Sequence, residues 1–294
     1  MPGRFGTLLT AMVTPFRDDY GLDLEGAQEL THHLFSTGTD AIVVAGSTGE
    51  AATLGHEEKG ELFRAVVEAA EGRGKVIAGT GTYNTAETAE LNALAEKAGC
   101  DAVLVVTPYY SRPPQRGLVA HFTKVAESTP LPVILYNIPS RTACLIEPDT
   151  LLRLAEIENI VAVKDSTGDF QSMSRIVKES PPDFDLYSGD DWAAFQSAML
   201  GAVGVVSVAS HLVGDRIKEM LELALAGDAQ GARKIHEDLL PIFKGLFVTS
   251  NPIPVKAALE IAGRPAGPPR LPLVPATPEE RQVIEQAMRD VGVL

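Results

Sequence analysis

The chain has 294 residues, a length that suits one large α/β barrel or two small domains. Its 25 Lys and Arg against 39 Asp and Glu give a formal net charge of −14, which argues against nucleic acid or an anionic membrane surface as a partner. The two cysteines, Cys100 and Cys144, form no metal-binding motif, and no apolar run reaches the ~20 residues that span a bilayer, so we expect an unprocessed, soluble, cytoplasmic protein.

Eight short apolar runs, each closed by polar residues or glycine, predict buried β-strands. In chain order they are residues 7–13, 40–45, 75–79, 102–106, 132–136, 160–164, 184–187 and 204–208. Segments with the apolar spacing of helices separate them, at residues 23–38, 57–72, 84–99, 115–128, 149–155, 170–179 and 192–200.

This unbroken alternation, without a linker or a change in composition, predicts a closed (β/α)8 TIM barrel rather than an open sheet. We expect residues 1–225 to form the catalytic barrel. Residues 226–294 are helical in pattern and are interrupted by a proline-rich segment between positions 263 and 275. We therefore expect them to form an appended C-terminal helical region.

The sixth predicted strand and the turn after it read IVAVKDSTGD, so Lys164 ends a run of buried residues. Side chains of a barrel strand alternate between the lumen and the surrounding helices, which predicts that Ile160, Ala162 and Lys164 share the lumen face. A lysine at a strand end is by itself more often a solvated surface group. The function of Lys164 therefore depends on its neighbours.

Active sites of such barrels lie at the carboxyl ends of the strands. The polar residues that follow the apolar runs include a lysine, tyrosines, hydroxyls and an arginine, namely Thr14, Ser47, Thr48, Tyr109, Tyr110, Tyr136, Arg141, Lys164, Ser188, Gly189 and Ser207. Burial favours the neutral form of a lysine amine, which attacks a ketone and forms a Schiff base without a metal or organic cofactor. Tyr136 and Thr48 could move the protons of that reaction, although a packed tyrosine and a helix-capping threonine are the alternatives.

The segment GSTGE at positions 46–50 is a glycine-rich turn between a strand and a helix. Its free backbone N–H groups suit a substrate carboxylate, although a purely structural turn is equally consistent with the glycines. The segment has neither of the glycine patterns that bind nucleotides. Glu50 is predicted to be a helix-start carboxylate that is stabilised by the helix dipole.

Together, GSTGE at Gly46, TPYY at Thr107, YNIPSRT at Tyr136 and KDSTGD at Lys164 resemble the pyruvate-dependent class I aldolase family, which includes N-acetylneuraminate lyase. The resemblance covers essentially the whole chain. Arg141 in SRT and the segment SGDD at Ser188 are similar to those members that condense pyruvate with L-aspartate 4-semialdehyde in lysine and diaminopimelate biosynthesis. The resemblance implies a cofactor-independent lyase that forms a homo-oligomer, a dimer of dimers.

The resemblance also implies a role for each matching residue. Lys164 would form the Schiff base with pyruvate, and Tyr136 would shuttle protons, with Thr48 linking it to Tyr110 from the neighbouring subunit. The substrate-binding residues would be Ser47 and Thr48 for the pyruvate carboxylate, Arg141 for the carboxylate of the semialdehyde, and Gly189 and Val206 for the shape of the pocket. Arginine suits a carboxylate because its planar fork binds both oxygens.

Members of the family that are inhibited by lysine have an effector pocket at a subunit interface. The matching positions are Ala51, His56, Lys59, Tyr83, Glu87 and Tyr109. A cationic Lys59 would repel a cationic effector, and Ala51 and Tyr83 lack the polar groups of inhibited members. We therefore expect weak or absent inhibition by lysine.

Two other functions are consistent with parts of the pattern. A Schiff-base aldolase for N-acetylneuraminate or a 2-keto-3-deoxy sugar acid would use the same lysine, but Arg141 favours an aldehyde that carries a carboxylate. A ligand-binding barrel without catalysis would not need an amine beside a proton shuttle. No His or Cys cluster has the spacing of a metal site.

Overall fold

The computed structural model describes residues 3–294. Eight parallel strands pair in chain order, and the last strand pairs with the first to close a barrel. The strands are β1 Leu8–Ala11, β2 Ala41–Val44, β3 Lys75–Gly79, β4 Ala102–Val106, β5 Val133–Asn137, β6 Ile160–Asp165, β7 Asp185–Ser188 and β8 Gly204–Ser207. The predicted (β/α)8 architecture is confirmed.

Eight helices lie between the strands and four follow β8. They are α1 Leu24–Ser36, α2 His56–Ala70, α3 Thr85–Ala98, α4 Gln115–Glu127, α5 Pro139–Thr142, α6 Pro148–Ala155, α7 Phe170–Glu179, α8 Ala194–Met199, α9 Ser210–Leu225, α10 Ala229–Gly245, α11 Ile253–Ile261 and α12 Pro278–Asp290. The predicted helix 192–200 is divided into a 3₁₀ turn, Asp191–Ala193, and α8. Among residues 3–294 no helix has both the length and the apolar character needed to cross a membrane.

Local side chains explain why the helices begin and end where the sequence predicts. The Asn84 side chain accepts a hydrogen bond from the Ala86 N–H and caps α3, and Gly99 ends that helix with a φ of 84° that favours glycine. Asp169 caps α7 by accepting from the N–H groups of Gln171 and Ser172. These caps place the starts of α3 and α7 directly after the loops that follow β3 and β6.

The core has two layers. Side chains such as Leu9, Val43, Ile77 and Ile134 fill the barrel lumen. The outward side chains of the strands pack under the helices in a second cluster, which extends without a break into α10 and α12 through residues such as Leu239 and Met288. The predicted boundary after residue 225 falls at the end of α9, but a division into two domains stays a prediction because this core crosses it.

β6 departs from simple alternation. Val133 pairs with Ile160 and Ile134 pairs with Ala162, so Val161 is an extra residue in a β-bulge. Val161 and Ala162 both belong to the lumen cluster, whereas Ile160 packs in the outer layer. The prediction that Ile160 shares the lumen face with Lys164 is therefore wrong, because a bulge shifts the alternation by one residue.

Candidate active site

Lys164 and Tyr136 meet at the carboxyl end of the barrel. They are directly paired residues of β6 and β5, so their side chains stand next to each other. The Lys164 Nζ lies 4.2 Å from the centre of the Tyr136 ring, and both residues are 5% exposed. The amine lies against the face of the ring, and the roles of Lys164 and Tyr136 in Schiff-base chemistry stay predictions.

Three acidic residues are neighbours of Lys164. Asp165 follows it in the sequence, and Asp190 and Asp191 lie near enough for the Lys164 charge to act on their pKa values. Asp165 and Asp191 are engaged in hydrogen bonds to loops. Asp165 accepts from the N–H and the hydroxyl of Thr167, at 2.9 and 2.7 Å. Asp191 accepts from the N–H groups of Val208 and Ala209, at 3.0 and 2.9 Å, and thereby fixes the loop after β8. Burial raises the pKa of both carboxyl groups.

Asp190 is the third, and its carboxyl group accepts no hydrogen bond from residues 3–294. Burial raises its pKa to about 6, and the opposing influence of the Lys164 charge is smaller. Asp190 lies in the segment SGDD, so the sequence predicted that this loop belongs to the site. Nothing in the sequence pattern distinguished Asp190 from Asp191. Its position makes it an additional candidate for the site.

Position 189 must be glycine because its neighbours leave no space for a side chain. A Cβ at this position would overlap the Ser166 hydroxyl and lie 3.1 Å from the Lys164 Cε. Its N–H donates to the Asp165 carbonyl at 2.7 Å. A side chain at this position would displace the lysine. Val206, in contrast, lies in the lumen cluster and is 1% exposed, so it supports the floor of the site.

A cavity of ≈ 330 Å³ reaches the site through Tyr136, while Lys164 itself lies behind that ring and is not part of the cavity lining. Its lining includes Ser47 from the GSTGE turn, Tyr136, Arg141 from α5 and Asn251 from the C-terminal region. Thr48 does not line the cavity, and its hydroxyl accepts a hydrogen bond from the Asn251 side-chain N–H at 2.9 Å. Of the two neighbouring hydroxyls, Ser47 is the one that lines the same cavity as Tyr136.

Asn251 is a site residue that the sequence reasoning missed. Its carbonyl accepts a hydrogen bond from Arg141 at 3.1 Å, while its side chain donates to Thr48. Its buried Oδ1 has no hydrogen-bond partner in residues 3–294. Asn251 follows no strand and stands more than 200 positions after Thr48, so a search of strand ends could not find it.

Tyr110 does not reach this cavity in its own chain. It is 94% exposed, and its φ is 70°. Tyr109 instead lines the cavity and packs edge-on against Tyr83, with ring centres 5.2 Å apart. One chain therefore brings together Lys164, Tyr136, Ser47 and Arg141 but leaves Tyr110 directed elsewhere.

The predicted effector residues form a group around the start of α2. Ala51, Lys59 and Tyr109 line the cavity. The His56 Nε2 lies 3.2 Å from the Glu87 Oε1, and this contact is the main reason that the pKa of Glu87 is lowered. Lys59 is 5% exposed, and burial lowers its pKa.

Glu50 joins the GSTGE turn to the C-terminal region. Its carboxylate lies 2.6 Å from the Lys256 Nζ and accepts from the Arg270 backbone N–H at 2.8 Å. The centre of the Phe16 ring lies 4.3 Å from the Lys256 Nζ and 4.1 Å from the Arg270 Cζ, so both cations contact this ring. The prediction of Glu50 as a helix-start carboxylate is wrong in its role, because the side chain is used in a buried ion pair.

Residues 3–294 contain no group of three or more His, Cys, Asp or Glu side chains placed to hold a metal ion.

Known proteins resemble this chain over its whole length. The profile of the Dihydrodipicolinate synthetase family matches residues 4–291. The 4-hydroxy-tetrahydrodipicolinate synthase of Moorella thermoacetica is 50% identical over 291 residues, which are 99% of this chain and 100% of that protein.

Solved structures agree with the sequence relatives. The enzyme of Cyanidioschyzon merolae, crystallised with lysine bound, has a TM-score of 0.98 at 45% identity and covers 99% of this chain and 100% of its own. A monomeric dihydrodipicolinate synthase variant has a TM-score of 0.95 at 36% identity, and the match covers 98% of this chain and 97% of that one. The chain therefore belongs to the dihydrodipicolinate synthetase family.

Proposed function

We propose that the chain condenses pyruvate with L-aspartate 4-semialdehyde to give 4-hydroxy-tetrahydrodipicolinate, a cytoplasmic step of lysine and diaminopimelate biosynthesis. The observation that carries the proposal is the buried Lys164 amine, 4.2 Å from the ring centre of Tyr136, which lines the same cavity as Arg141. Membership of the family and the activity named for the Moorella thermoacetica relative support it.

The first half of the reaction uses Lys164 and Tyr136. The neutral Nζ attacks C2 of pyruvate, and the former carbonyl oxygen leaves as water to give a protonated imine. The imine withdraws electrons, so a proton leaves C3 and an enamine forms. Tyr136 stands beside the amine and would donate and accept these protons.

The GSTGE turn would hold the pyruvate carboxylate through the hydroxyl and backbone N–H groups of Ser47 and Thr48. The relay role expected at Thr48 fits Ser47 better, because Ser47 lines the cavity with Tyr136 whereas the Thr48 hydroxyl is occupied by Asn251. We therefore propose Ser47 as the relay hydroxyl. Thr48 would keep the turn in place through its contact with the C-terminal region.

Arg141 would bind the carboxylate of the semialdehyde as it enters. Its hydrogen bond to the Asn251 carbonyl orients the guanidinium group while leaving donors for a substrate oxygen. The enamine carbon then attacks the aldehyde carbon and forms the new C–C bond, the aldehyde oxygen takes a proton and becomes the hydroxyl group, and the imine at C2 is restored. The amine of the semialdehyde next attacks C2 and displaces Lys164, which closes the ring and frees the enzyme.

The test is to trap the imine with borohydride in the presence of pyruvate and to locate the adduct by peptide mass. We expect it on Lys164 and expect Lys164→Ala to abolish both the adduct and the coupled synthase activity. Lys124→Ala, which alters a lysine with a 70% exposed side chain, is the matched control and should behave as wild type. An active protein without the adduct would overturn the mechanism.

The second substrate is tested separately, by offering aspartate semialdehyde, N-acetylmannosamine and glyceraldehyde, each with pyruvate. We expect turnover of the semialdehyde alone. Arg141→Leu should raise the KM for the semialdehyde while pyruvate is still trapped on Lys164. Turnover of N-acetylmannosamine or glyceraldehyde at a comparable rate would favour a sugar-acid aldolase, and trapping without any turnover would favour a ligand-binding barrel.

We also propose that the chain forms a homo-oligomer, with Tyr110 completing the site of a neighbouring subunit. Tyr110 is 94% exposed in one chain, and this supports the proposal because a large aromatic side chain on the surface is available for contact with a partner subunit. A dimer of dimers is the assembly that we propose. One solved relative is a monomeric variant, so the assembly must be measured for this chain.

The effector residues support weak or absent inhibition by lysine. The relative from Cyanidioschyzon merolae was crystallised with lysine bound, whereas the buried Lys59 places a cation among the corresponding residues of this chain. Half-maximal inhibition by micromolar lysine in a steady-state assay would contradict this proposal.

A further inference from the structure

Ser166 carries a buried hydroxyl group that has no partner within the chain. The residue is 9% exposed, and its Oγ is shielded from solvent and has no hydrogen-bond partner in residues 3–294. A polar group that leaves water without gaining a partner is destabilising. An unpaired hydroxyl group at the end of a barrel strand therefore indicates a partner that the folded chain alone does not supply.

The hydroxyl groups of the neighbouring loops are engaged, in contrast to that of Ser166. Thr167 donates to the Asp165 carboxylate at 2.7 Å, and Ser188 donates to the Asp190 carbonyl at 3.0 Å. Each of these bonds joins residues two positions apart and so fixes the shape of its own loop. Ser166 has no such local role and remains available for another group.

The Ser166 hydroxyl lies next to the end of the Lys164 side chain. Ser166 stands two positions after Lys164, and its N–H still donates to the Asn137 carbonyl of β5 at 2.9 Å, so the two side chains lie on the same side of the chain. A Cβ built on Gly189 would be 1.9 Å from the Ser166 Oγ and 3.1 Å from the Lys164 Cε. Both atoms therefore border the same small space, which the glycine leaves open.

Neither Ser166 nor Lys164 is part of the lining of the ≈ 330 Å³ cavity. The hydroxyl group is therefore placed for an atom that is bonded to the lysine amine, rather than for a ligand that moves freely in the cavity. In the proposed reaction C2 of pyruvate is bonded to Nζ. The oxygen on C2 of this carbinolamine is the substrate polar atom that is fewest bonds away from the amine.

We propose that Ser166 is a catalytic residue that donates a hydrogen bond to the C2 oxygen of the carbinolamine on Lys164. In this step the C2–O bond breaks, the oxygen takes a proton from Tyr136 and leaves as water, and the lone pair of Nζ forms the C=N bond. Negative charge grows on the departing oxygen, so the hydrogen bond is stronger in the transition state than in the carbinolamine. Ser166 keeps its own proton throughout. The inference rests on the proposed function, because it concerns the imine on Lys164.

The experiment measures how fast the imine forms with pyruvate alone. The protein and pyruvate are mixed for a varied time, borohydride is added, and the trapped fraction is measured by intact mass. The time course gives the rate of imine formation and its plateau gives the extent. We expect Ser166→Ala to form the imine about tenfold more slowly than wild type, while the plateau changes by less than about twofold. The lost hydrogen bond acts on the transition state, so formation and reversal slow equally.

Matched variants separate catalysis from folding. Ser166→Thr keeps a hydroxyl group and should recover most of the rate that Ser166→Ala loses. Ser36→Ala, which alters an exposed serine at the end of α1, should behave as wild type. The Tm of Ser166→Ala should be at least that of wild type, because a buried hydroxyl group without a partner has been removed. Should the alanine variant not fold, Ser166→Cys, whose thiol is a weak donor, makes the same comparison.

Three results would overturn the role of Ser166 alone. They are an alanine variant with the wild-type rate, an alanine variant whose plateau falls as much as its rate, and a threonine variant as slow as the alanine variant. A wild-type protein that forms no trapped imine would overturn the proposed function and this inference together. The rate and the plateau of wild type therefore distinguish the two failures.

Discussion

At the scale of single residues, we expect Asp190 to change the charge around Lys164 with pH. Its carboxyl group has a pKa raised to about 6 by burial, so it is neutral below that pH and anionic above it. We expect an anionic Asp190 to stabilise the cationic imine proposed on Lys164, and a neutral Asp190 to lack this effect. The imine should therefore be favoured as the pH rises through about 6.

This dependence can be measured as the equilibrium of imine formation with pyruvate between pH 5 and 8. We expect Asp190→Asn to remove the step near pH 6 and to weaken imine formation at pH 7.5 by about tenfold, which corresponds to about 1.4 kcal/mol of lost attraction. Asp149→Asn, at an 82% exposed side chain, is the control. Identical profiles for wild type and Asp190→Asn would contradict the role of Asp190.

The two hydroxyls of the GSTGE turn should differ in their effects on kinetics. Ser47→Ala should lower kcat by about 10²-fold, since a proton relay is lost, with a smaller effect on the binding of pyruvate. Thr48→Val keeps the shape but removes the acceptor of the Asn251 hydrogen bond, so we expect mainly a higher KM for pyruvate. If steady-state kinetics show the lower kcat for Thr48→Val and the higher KM for Ser47→Ala, Thr48 is the relay hydroxyl.

At the scale of elements, the ion pair between Glu50 and Lys256 fixes the turn that follows β2. Lys256→Met would leave the Glu50 carboxylate buried without its counter-charge, and we expect a loss of about 3–5 kcal/mol in the free energy of unfolding. The double change Glu50→Gln with Lys256→Met should recover much of that loss, because no lone charge remains. Urea unfolding measures both variants.

The exposed pair of Lys124 and Glu127 is a matched control for that measurement. Its side chains are 70% and 59% exposed, and breaking it should cost less than about 1 kcal/mol. Equal losses for the two pairs would mean that burial does not determine the contribution of the Glu50 pair.

The strands could be predicted because each is a short apolar run buried on both faces, and the lysine site because a polar residue ends such a run. The bulge at Val161 could not be predicted, since it depends on how β5 and β6 pair rather than on local sequence. Asn251 and the partner of Glu50 were missed for a related reason. Both depend on contacts between segments that lie far apart along the chain.

At the scale of the whole molecule, the exposed Tyr110 predicts complementation between inactive subunits. Tyr110→Phe and Lys164→Ala should each give little activity alone. When they are mixed under conditions that exchange subunits, a hybrid contains a site with an intact Lys164 and the intact Tyr110 of the partner subunit. We expect a partial recovery of activity, measured together with the mass of the assembly in solution.

Two observations would exclude this arrangement. A mixture that stays inactive although hybrids form, or a monomeric wild-type protein with full activity, would mean that Tyr110 does not complete a neighbouring site. Mixing Lys164→Ala with Lys164→Arg is the control, because neither subunit can contribute the lysine.

The contacts of the C-terminal region with the GSTGE turn also set the order in which the protein can mature. Asn251 and Thr48 are 203 positions apart, and Arg270 and Glu50 are 220 apart. Lys164 and Tyr136 leave the ribosome well before Asn251 and Arg270 are synthesised, and contacts over such distances form late in folding. A nascent chain can therefore have a nearly complete barrel while Thr48 and Glu50 still lack their partners, so we expect the GSTGE turn to become fixed only as the final helices dock.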